Sequence, residues 1–205
     1  MNLRTIISHL PIVMLALLCI VFIEFMHQVS KDQISENKKR AALADINTVI
    51  MQPYDNDIVS DTAIINVPKT INPSGKINIH YARQGKEIVA MSLLPVIAKG
   101  YSGPINMLLG MTVEGSISSV RIISHSETPG FGAEIHQDKS NWLQIFNQQS
   151  LASLPQQKWA TANDGGEYDR LSGATITSRA IINTLLELLL HYQESPEQFL
   201  PMGSQ

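Results

Sequence analysis

A long uncharged apolar run close to the N-terminus constrains this chain more than any other feature. Residues 10–23 carry no charge, and the apolar character resumes at residues 25–26 after Glu24. Such a run approaches the ~20 residues that a membrane-spanning helix needs. We therefore predict a transmembrane anchor over residues 9–29, preceded by a short cytoplasmic N-terminus of residues 1–8.

A cleaved signal peptide is the alternative for this segment, because Arg4 followed by an apolar stretch is typical of one. Residues 27–30, with the sequence HQVS, offer no small-x-small cleavage site. An uncleaved anchor is therefore favoured over a signal peptide.

The remaining chain is long enough for one domain with a hydrophobic core, since the 205 residues are 44% hydrophobic. We predict a juxtamembrane helix and linker over 30–52, one domain over 53–195 and a C-terminal tail over 196–205. The net charge of −3 gives no reason to expect a nucleic-acid partner. Cys19 is the only cysteine, which excludes internal disulfides, a cysteine-ligated iron–sulfur cluster and a CxxCH haem attachment.

Alternating apolar residues and turn signals predict an α/β (α+β) fold with a curved, mainly antiparallel sheet and packed helices. The predicted strands are Ala63–Val67, Ile77–Ala82, Glu87–Leu94, 105–113 and 117–123. The predicted helices are 30–50, 138–148 and 177–192, the last of them apolar almost all round and therefore buried.

A run of small residues, DRLSGAT at 169–175, stands just before the last predicted helix. A helix N-terminus presents free N–H donors and favours an anion such as phosphate. Gly173 and Ala174 would let a bulky group approach the backbone, and Thr175 supplies a hydroxyl oxygen. The alternative is an ordinary capping turn, in which a Ser or Thr oxygen accepts a backbone N–H bond. The nearby hydroxyls that could serve instead of Thr175 belong to Ser172, Thr177 and Ser178.

A second unusual loop, HSETPGFGAE at 125–134, follows a predicted strand. Two glycines and a proline within four residues predict a tight turn. A plain connection between two elements is the alternative, and no Lys-Ser/Thr follows that would indicate a phosphate-binding glycine loop.

Together with GYSGP at 100–104, these motifs resemble those of the G subunit of the Rnf electron-transport complex, called Rsx in some bacteria. The chain is similar, more distantly, to the C subunit of the sodium-pumping NADH:quinone reductase. The resemblance covers essentially the whole chain.

The resemblance implies an electron-carrier subunit that holds FMN through a phosphoester to the phosphoryl threonine Thr175. It also implies that a flavin transferase, which uses FAD and Mg²⁺, installs the FMN. The motif residues that match the pattern recognised by that enzyme are Asp169, Ser172, Gly173 and Ala174. We further expect the 125–134 loop to form part of the wall around the flavin, with Glu127, Thr128 and Gly130 as its cofactor-binding residues.

The family resemblance also implies partners and a location. The partners are the other subunits of an ion-translocating membrane complex, without which we expect no turnover. The implied location is the bacterial inner membrane, with the main domain in the periplasm. The basic residues that follow the anchor, counted literally, would place that domain in the cytoplasm instead; they are Lys31, Lys38, Lys39 and Arg40.

Two other assignments stay open at this level. One is a membrane-anchored periplasmic binding or scaffold domain without a cofactor. The other is the C subunit of the quinone reductase. The histidines His80, His125 and His136 lack metal-ligand spacing, so we predict no metal site. Three aromatic side chains could stack on a flavin or pack in the core: Tyr101, Trp159 and Tyr168.

Overall fold

The structure is a computed structural model that describes residues 3–201. The chain divides into two compact units, with the boundary between Ala42 and Leu43. Helix α1 (Leu3–Asn47) begins in the first unit and ends in the second. From Pro11 onwards it contains an 18-residue window with a mean hydropathy of 2.3, which is long and apolar enough to cross a membrane. The predicted anchor lies within this helix, whereas part of the predicted cytoplasmic N-terminus lies outside the described residues.

The second unit is built on a five-stranded antiparallel sheet, in which each strand pairs with the next along the chain. Its strands are β1 (Thr62–Asn66), β2 (Lys76–Gln84), β3 (Glu87–Lys99), β4 (Pro104–Thr112) and β5 (Ile117–Ser124). All five predicted strands are present, and the fold class predicted from the sequence is confirmed. Alternation of apolar and polar residues could locate them because neighbouring side chains in a strand point to opposite faces.

Strand β3 is longer than predicted. It continues through Pro95 to Lys99, and its pairing with β4 shifts register between Leu93 and Val96. Proline cannot donate a ladder hydrogen bond and is tolerated in strands at such irregularities. The strand therefore resumes beyond the point where the sequence predicted its end.

Both faces of the sheet are covered. On β4, Met107 and Leu109 belong to the larger core, whereas Leu108 between them belongs to a smaller core with Ile46 and Ile58. The backbone of Val49 lies so close to Gly110 that a Cβ there would collide with the Val49 carbonyl. Residues 43–50 thus form part of the folded domain, although the sequence had assigned them to the linker of 30–52.

Helix α2 (Thr175–Glu194) packs on β3 and forms one side of the larger core. It contains the helix predicted over 177–192 and begins two residues earlier. A short helix, α3 (Pro196–Phe199), follows it. Phe199 is buried, and its carbonyl accepts a 2.9 Å hydrogen bond from the Tyr81 hydroxyl. The first part of the predicted tail of 196–205 is therefore packed in the domain; residues 202–205 lie outside the described residues.

The helix predicted over 138–148 is wrong. The chain from β5 to α2 contains short 3₁₀ turns instead, at Gly132–Ile135, Trp142–Phe146, Gln156–Lys158 and Ala162–Asp164. Trp142 and Phe146 are buried in the second of these turns, with their rings 5.3 Å apart edge to face. These two buried rings account for the helix-like apolar spacing, but the flanking residues Ser140, Asn141 and Asn147 favour turns.

Candidate functional site

The DRLSGAT segment forms the turn into α2. Thr175 is the first residue of that helix, and Gly173 has a φ of 71°. Left-handed backbone of this kind favours glycine. The N-cap position is occupied by Ala174, which makes no side-chain cap hydrogen bond. The alternative interpretation from the sequence, a helix capped by a Ser or Thr side chain, is therefore wrong for this turn. The Thr175 hydroxyl does not cap the helix.

The Thr175 hydroxyl has a cationic neighbour. Nη1 of Arg170 donates a hydrogen bond of 3.0 Å to Oγ1 of Thr175, and the Arg170 side chain is exposed. Thr175 itself is half-buried. An arginine that faces a helix N-terminus adds a positive charge to the partial charge already present there. The turn therefore offers a hydroxyl within an electropositive corner.

Two hydrogen bonds hold this turn in place. Nε1 of Trp142 donates to the carbonyl of Asp169 at 2.7 Å, and the backbone N–H of Leu171 donates to Oγ of Ser178 at 3.1 Å. Ser178 is buried, whereas the side chain of Asp169 is exposed. The turn is thus anchored through its backbone, and its side chains remain available.

Glu127 connects three segments on the other side of the site. It is 6% exposed, and its Oε1 accepts a 3.0 Å bond from the N–H of Ser102. Its Oε2 accepts a 2.6 Å bond from the Thr177 hydroxyl. A Cβ on Gly100 or Gly132 would collide with these carboxylate oxygens, so both glycines allow the carboxylate to approach the backbone. The GYSGP segment, the SETPGFGAE loop and the start of α2 therefore meet at one carboxylate.

A cavity of about 470 Å³ opens where these three segments meet. Its lining residues are Tyr101, Glu127, Thr128, Phe131, Gly132, Gly173, Ala174, Thr175, Ile176 and Thr177. The exposed ring of Phe131 lies against Gly173, where an added Cβ would come within 2.6 Å of Phe131 Cδ1. A volume of roughly 300–1,000 Å³ with aromatic walls and a few polar groups is typical of small-molecule sites.

The structure brings most of the residues predicted from the sequence together. Five of the eight line this cavity: Glu127, Thr128, Gly173, Ala174 and Thr175. The other three, Gly130, Asp169 and Ser172, are exposed in the flanking turns and are not among the lining residues. Of the other candidate hydroxyls, Thr177 and Ser178 are buried and already hydrogen-bonded.

The open question about the three aromatic side chains is answered by their burial. Trp159 and Tyr168 are core residues whose rings lie 5.3 Å apart. Burial raises the pKa of the Tyr168 hydroxyl, and the neighbouring Glu167 carboxylate adds to this effect. Tyr101, by contrast, is 72% exposed and lines the cavity.

Sequence reasoning missed the roles of Arg170 and Phe131, and it named Thr177 only as an alternative hydroxyl, without its bond to Glu127. Arg170 and Phe131 stand inside the quoted motifs, so a cation and an aromatic ring beside the proposed phosphate site were visible signals. The link between Thr177 and Glu127 was not, because it joins residues 50 positions apart.

A second arginine near the start of α2 is already paired. Arg179 forms a two-point ion pair with Asp164, in which Nε donates to Oδ2 at 2.6 Å and Nη2 contacts Oδ1. The Thr161 hydroxyl also donates to Asp164. Hydrogen bonding to Arg179, followed by that to Thr161, lowers the pKa of Asp164 to about 2. Arg179 is therefore committed to the loop before the motif.

Comparison with known proteins identifies relatives that cover most of the chain. Residues 100–189 match the FMN-binding domain family. The G subunit of the ion-translocating oxidoreductase complex of Photorhabdus laumondii is 36% identical over 151 residues, covering 74% of this chain and 72% of that protein. The corresponding G subunit of Haemophilus influenzae strain PittEE is 36% identical over 169 residues, covering 82% and 81%. The crystal structure of Shewanella oneidensis NqrC is 14% identical, with a TM-score of 0.49 over 75% of this chain and 90% of that one.

Proposed function

The chain belongs to the family of G subunits of ion-translocating oxidoreductase complexes, and we propose that it relays electrons in such a complex through FMN esterified to Thr175. The resemblance to this family predicted from the motifs is confirmed. The matched FMN-binding domain supports FMN as the cofactor. Electron transfer within a membrane complex follows from the relatives, and covalent attachment is the further step proposed here.

One observation carries the choice of Thr175. Its hydroxyl stands at the first residue of α2, in the cavity wall, without a role in capping the helix. Ser172 does not line the cavity, and the hydroxyls of Thr177 and Ser178 are held by other groups. Of the four hydroxyls around the motif, Thr175 is therefore the one both placed in the cavity and available for esterification.

The attachment step is a phosphoryl transfer from FAD. The Oγ1 atom of Thr175 forms a bond to the FMN phosphorus, the bond from that phosphorus to the bridging oxygen breaks, and AMP leaves. The hydroxyl proton passes to a base, because a threonine hydroxyl is a poor nucleophile without one. Arg170, which contacts Oγ1, cannot accept a proton. We propose that a separate flavin transferase, the maturation partner, supplies this base.

The residues of the cavity fit an esterified flavin. Gly173 provides a wall without a side chain beside the esterified oxygen, and Phe131 and Tyr101 provide aromatic surfaces for a planar ring. FMN supplies the ability to accept electrons singly or in pairs, which suits a relay between unlike carriers. The chain contributes position and electrostatics: the ester fixes one end of the ligand, and the Glu127 network shapes the wall.

We propose that α1 anchors the chain in the bacterial inner membrane over residues 9–29, with the main domain in the periplasm. The length and apolar composition of α1 from Pro11 onwards support the anchor. The orientation is tested by placing a cysteine at the exposed Lys86 in a Cys19→Ser background. A membrane-impermeant maleimide should label intact cells expressing this variant; labelling only after lysis would place the domain in the cytoplasm.

The other partners are the remaining subunits of the complex. We expect the isolated chain to hold flavin without catalytic turnover. Similarity to the G subunits over most of both chains favours this assignment over the C subunit of a quinone reductase. A scaffold domain without cofactor would not account for the match to the FMN-binding domain family.

The decisive experiment is an intact mass measured after co-expression with a flavin transferase and denaturation. The parent chain should gain the mass of one FMN less one water, and Thr175→Ala should gain none. Thr175→Ser, which retains a hydroxyl, tests whether the oxygen alone suffices. An unmodified parent chain, with the transferase active on a control substrate, would refute covalent attachment.

A further inference from the structure

We infer that Arg170 is the positioning residue for the phosphodiester at Thr175, pairing with its non-bridging oxygens once the ester has formed. This inference rests on the proposed attachment of FMN to Thr175. It concerns a side chain to which neither the match to the FMN-binding family nor the names of the relatives give a role.

The geometry starts from one contact. Nη1 of Arg170 donates to Oγ1 of Thr175 at 3.0 Å, although five residues separate the two along the chain. In the ester, Oγ1 is bonded to phosphorus, and the non-bridging oxygens are bonded to that same phosphorus. A guanidinium that reaches Oγ1 therefore reaches those oxygens after a small side-chain rotation. Its planar set of N–H donors matches two phosphate oxygens at once.

The charges around the cavity favour this pairing. Among the described residues that line the cavity, Glu127 is charged and negative, and none is a lysine, arginine or histidine. Asp169, next to Arg170 in sequence, adds a second carboxylate, which is exposed. A phosphodiester carries one negative charge, so its attachment adds charge of the same sign. The partial positive charge at the start of α2 offsets part of this, and Arg170 supplies a full positive charge.

Arg179 is the other arginine close to Thr175 in sequence, and the structure separates the roles of the two. Arg179 is held by Asp164 through two contacts, and Asp164 in turn is held by Thr161. Arg170 instead directs Nη1 to the acceptor hydroxyl. Arg179 is therefore a matched control of the same residue type, four positions after Thr175.

The exposed position of the Arg170 side chain determines what its contact can do before attachment. Its side chain is exposed, while the backbone on either side is held by Trp142 and Ser178. The fixed backbone keeps the guanidinium close to Thr175, and the exposed side chain can turn from the hydroxyl to an incoming phosphate. We therefore expect Arg170 to affect both the rate at which flavin is loaded and the environment of the bound phosphorus.

The test compares Arg170→Ala, Arg170→Lys and Arg179→Ala in the full chain, purified in detergent. Each is incubated with flavin transferase, FAD and Mg²⁺, and loading is followed by intact mass. We expect Arg170→Ala to load about threefold to fivefold more slowly than the parent, since an exposed contact of a charged group is lost. Arg170→Lys should recover part of the rate, and Arg179→Ala should load like the parent.

A second readout excludes a merely structural effect. The ³¹P chemical shift of the loaded protein should differ between Arg170→Ala and the parent but not between Arg179→Ala and the parent. Equal loading rates and equal ³¹P shifts for Arg170→Ala and the parent would overturn the inference while leaving the attachment intact. A parent chain that takes up no FMN would instead refute the attachment, and this inference would fall with it.

Discussion

The hydroxyl of Thr177 donates a 2.6 Å hydrogen bond to Oε2 of Glu127, joining two buried residues that lie 50 positions apart. The same carboxylate accepts the N–H of Ser102 through its other oxygen. A carboxylate removed from water needs such donors, because its hydration is lost. The wall of the cavity thus depends on one buried anion that holds three chain segments together.

Replacing Thr177 with Val keeps the shape of the side chain and removes the donor to Glu127. We expect the free energy of unfolding to fall by about 1–3 kcal/mol, because a buried acceptor is left without its partner. Urea unfolding of the unloaded chain measures this difference. Thr177→Ser retains the hydroxyl and should stay closer to the parent.

The same pair should influence the flavin. Thr177→Val should reduce FMN loading as well as stability, since the start of α2 carries both Thr177 and Thr175. A Thr177→Val chain with the stability and loading of the parent would show that Glu127 does not depend on this hydroxyl.

Gly132→Ala tests the close approach of the carboxylate to the backbone. An added Cβ would collide with Oε2 of Glu127 and lie 2.9 Å from its Cβ. We expect a loss of about 1–3 kcal/mol in the free energy of unfolding, which is typical of overpacking. The measurement is again urea unfolding.

A double-mutant cycle identifies the cause of that loss. If the collision is with Glu127, Gly132→Ala should cost less in a Glu127→Ala background than in the parent, since the carboxylate is then absent. Equal costs in the two backgrounds would assign the effect to other neighbours of Gly132.

Much of the sheet and of the site was predictable from the sequence. The alternation of apolar residues located the five strands because one pleated surface faces the core. The motif 169–175 indicated a helix start close to Thr175, since small residues and a helix start are local properties of the chain; the predicted helix began at 177, whereas α2 begins at Thr175. The segments around Gly100 and Gly132 were also recognised as motifs. The sequence did not show that these glycines make room for the Glu127 carboxylate.

What the sequence did not predict depends on contacts between distant segments. The apolar spacing around Trp142 and Phe146 predicted a helix over 138–148, but these rings are buried by tertiary packing in a 3₁₀ turn. The burial of Phe199 depends on the closing of α3 against β1, which no local pattern indicates. Likewise, the partner of Glu127 is set by which loops meet after the sheet has formed.

Tyr168 presents the opposite case to Glu127, because its buried hydroxyl has no hydrogen-bond partner among the described residues. Tyr168→Phe should therefore leave the free energy of unfolding unchanged or raise it, since an unpaired polar group is removed from the core. The matched control is Tyr81→Phe, which removes the hydrogen bond to Phe199. We expect that control to lose about 0.5–1.5 kcal/mol.

The ionisation of Tyr168 extends this comparison to high pH. Burial raises its pKa above the ordinary value of 10.0. The folded chain therefore favours the neutral form of the Tyr168 hydroxyl. The stabilisation of the fold by this preference is fully present below the ordinary pKa of 10.0 and is lost as pH rises above it. The stability difference between Tyr168→Phe and the parent should therefore grow in favour of the variant at alkaline pH; a constant difference would contradict the burial of this hydroxyl.

The pair of Asp164 and Arg179 predicts behaviour at low pH. The pKa of Asp164 lies at about 2 in the folded chain, against an ordinary value of 3.8. Because the folded pKa is lowered, the stabilisation is present above the unfolded value and is lost as pH falls towards 2. Arg179→Ala should move the Asp164 pKa back towards its ordinary value, as measured by NMR titration of the carboxyl carbon. It should also reduce the dependence of the free energy of unfolding on pH between the folded and the ordinary pKa of Asp164.

Arg170→Ala is the matched control, since Arg170 contacts Thr175. An equal rise in the Asp164 pKa in both variants would mean that general charge, rather than the two-point contact with Arg179, lowers it.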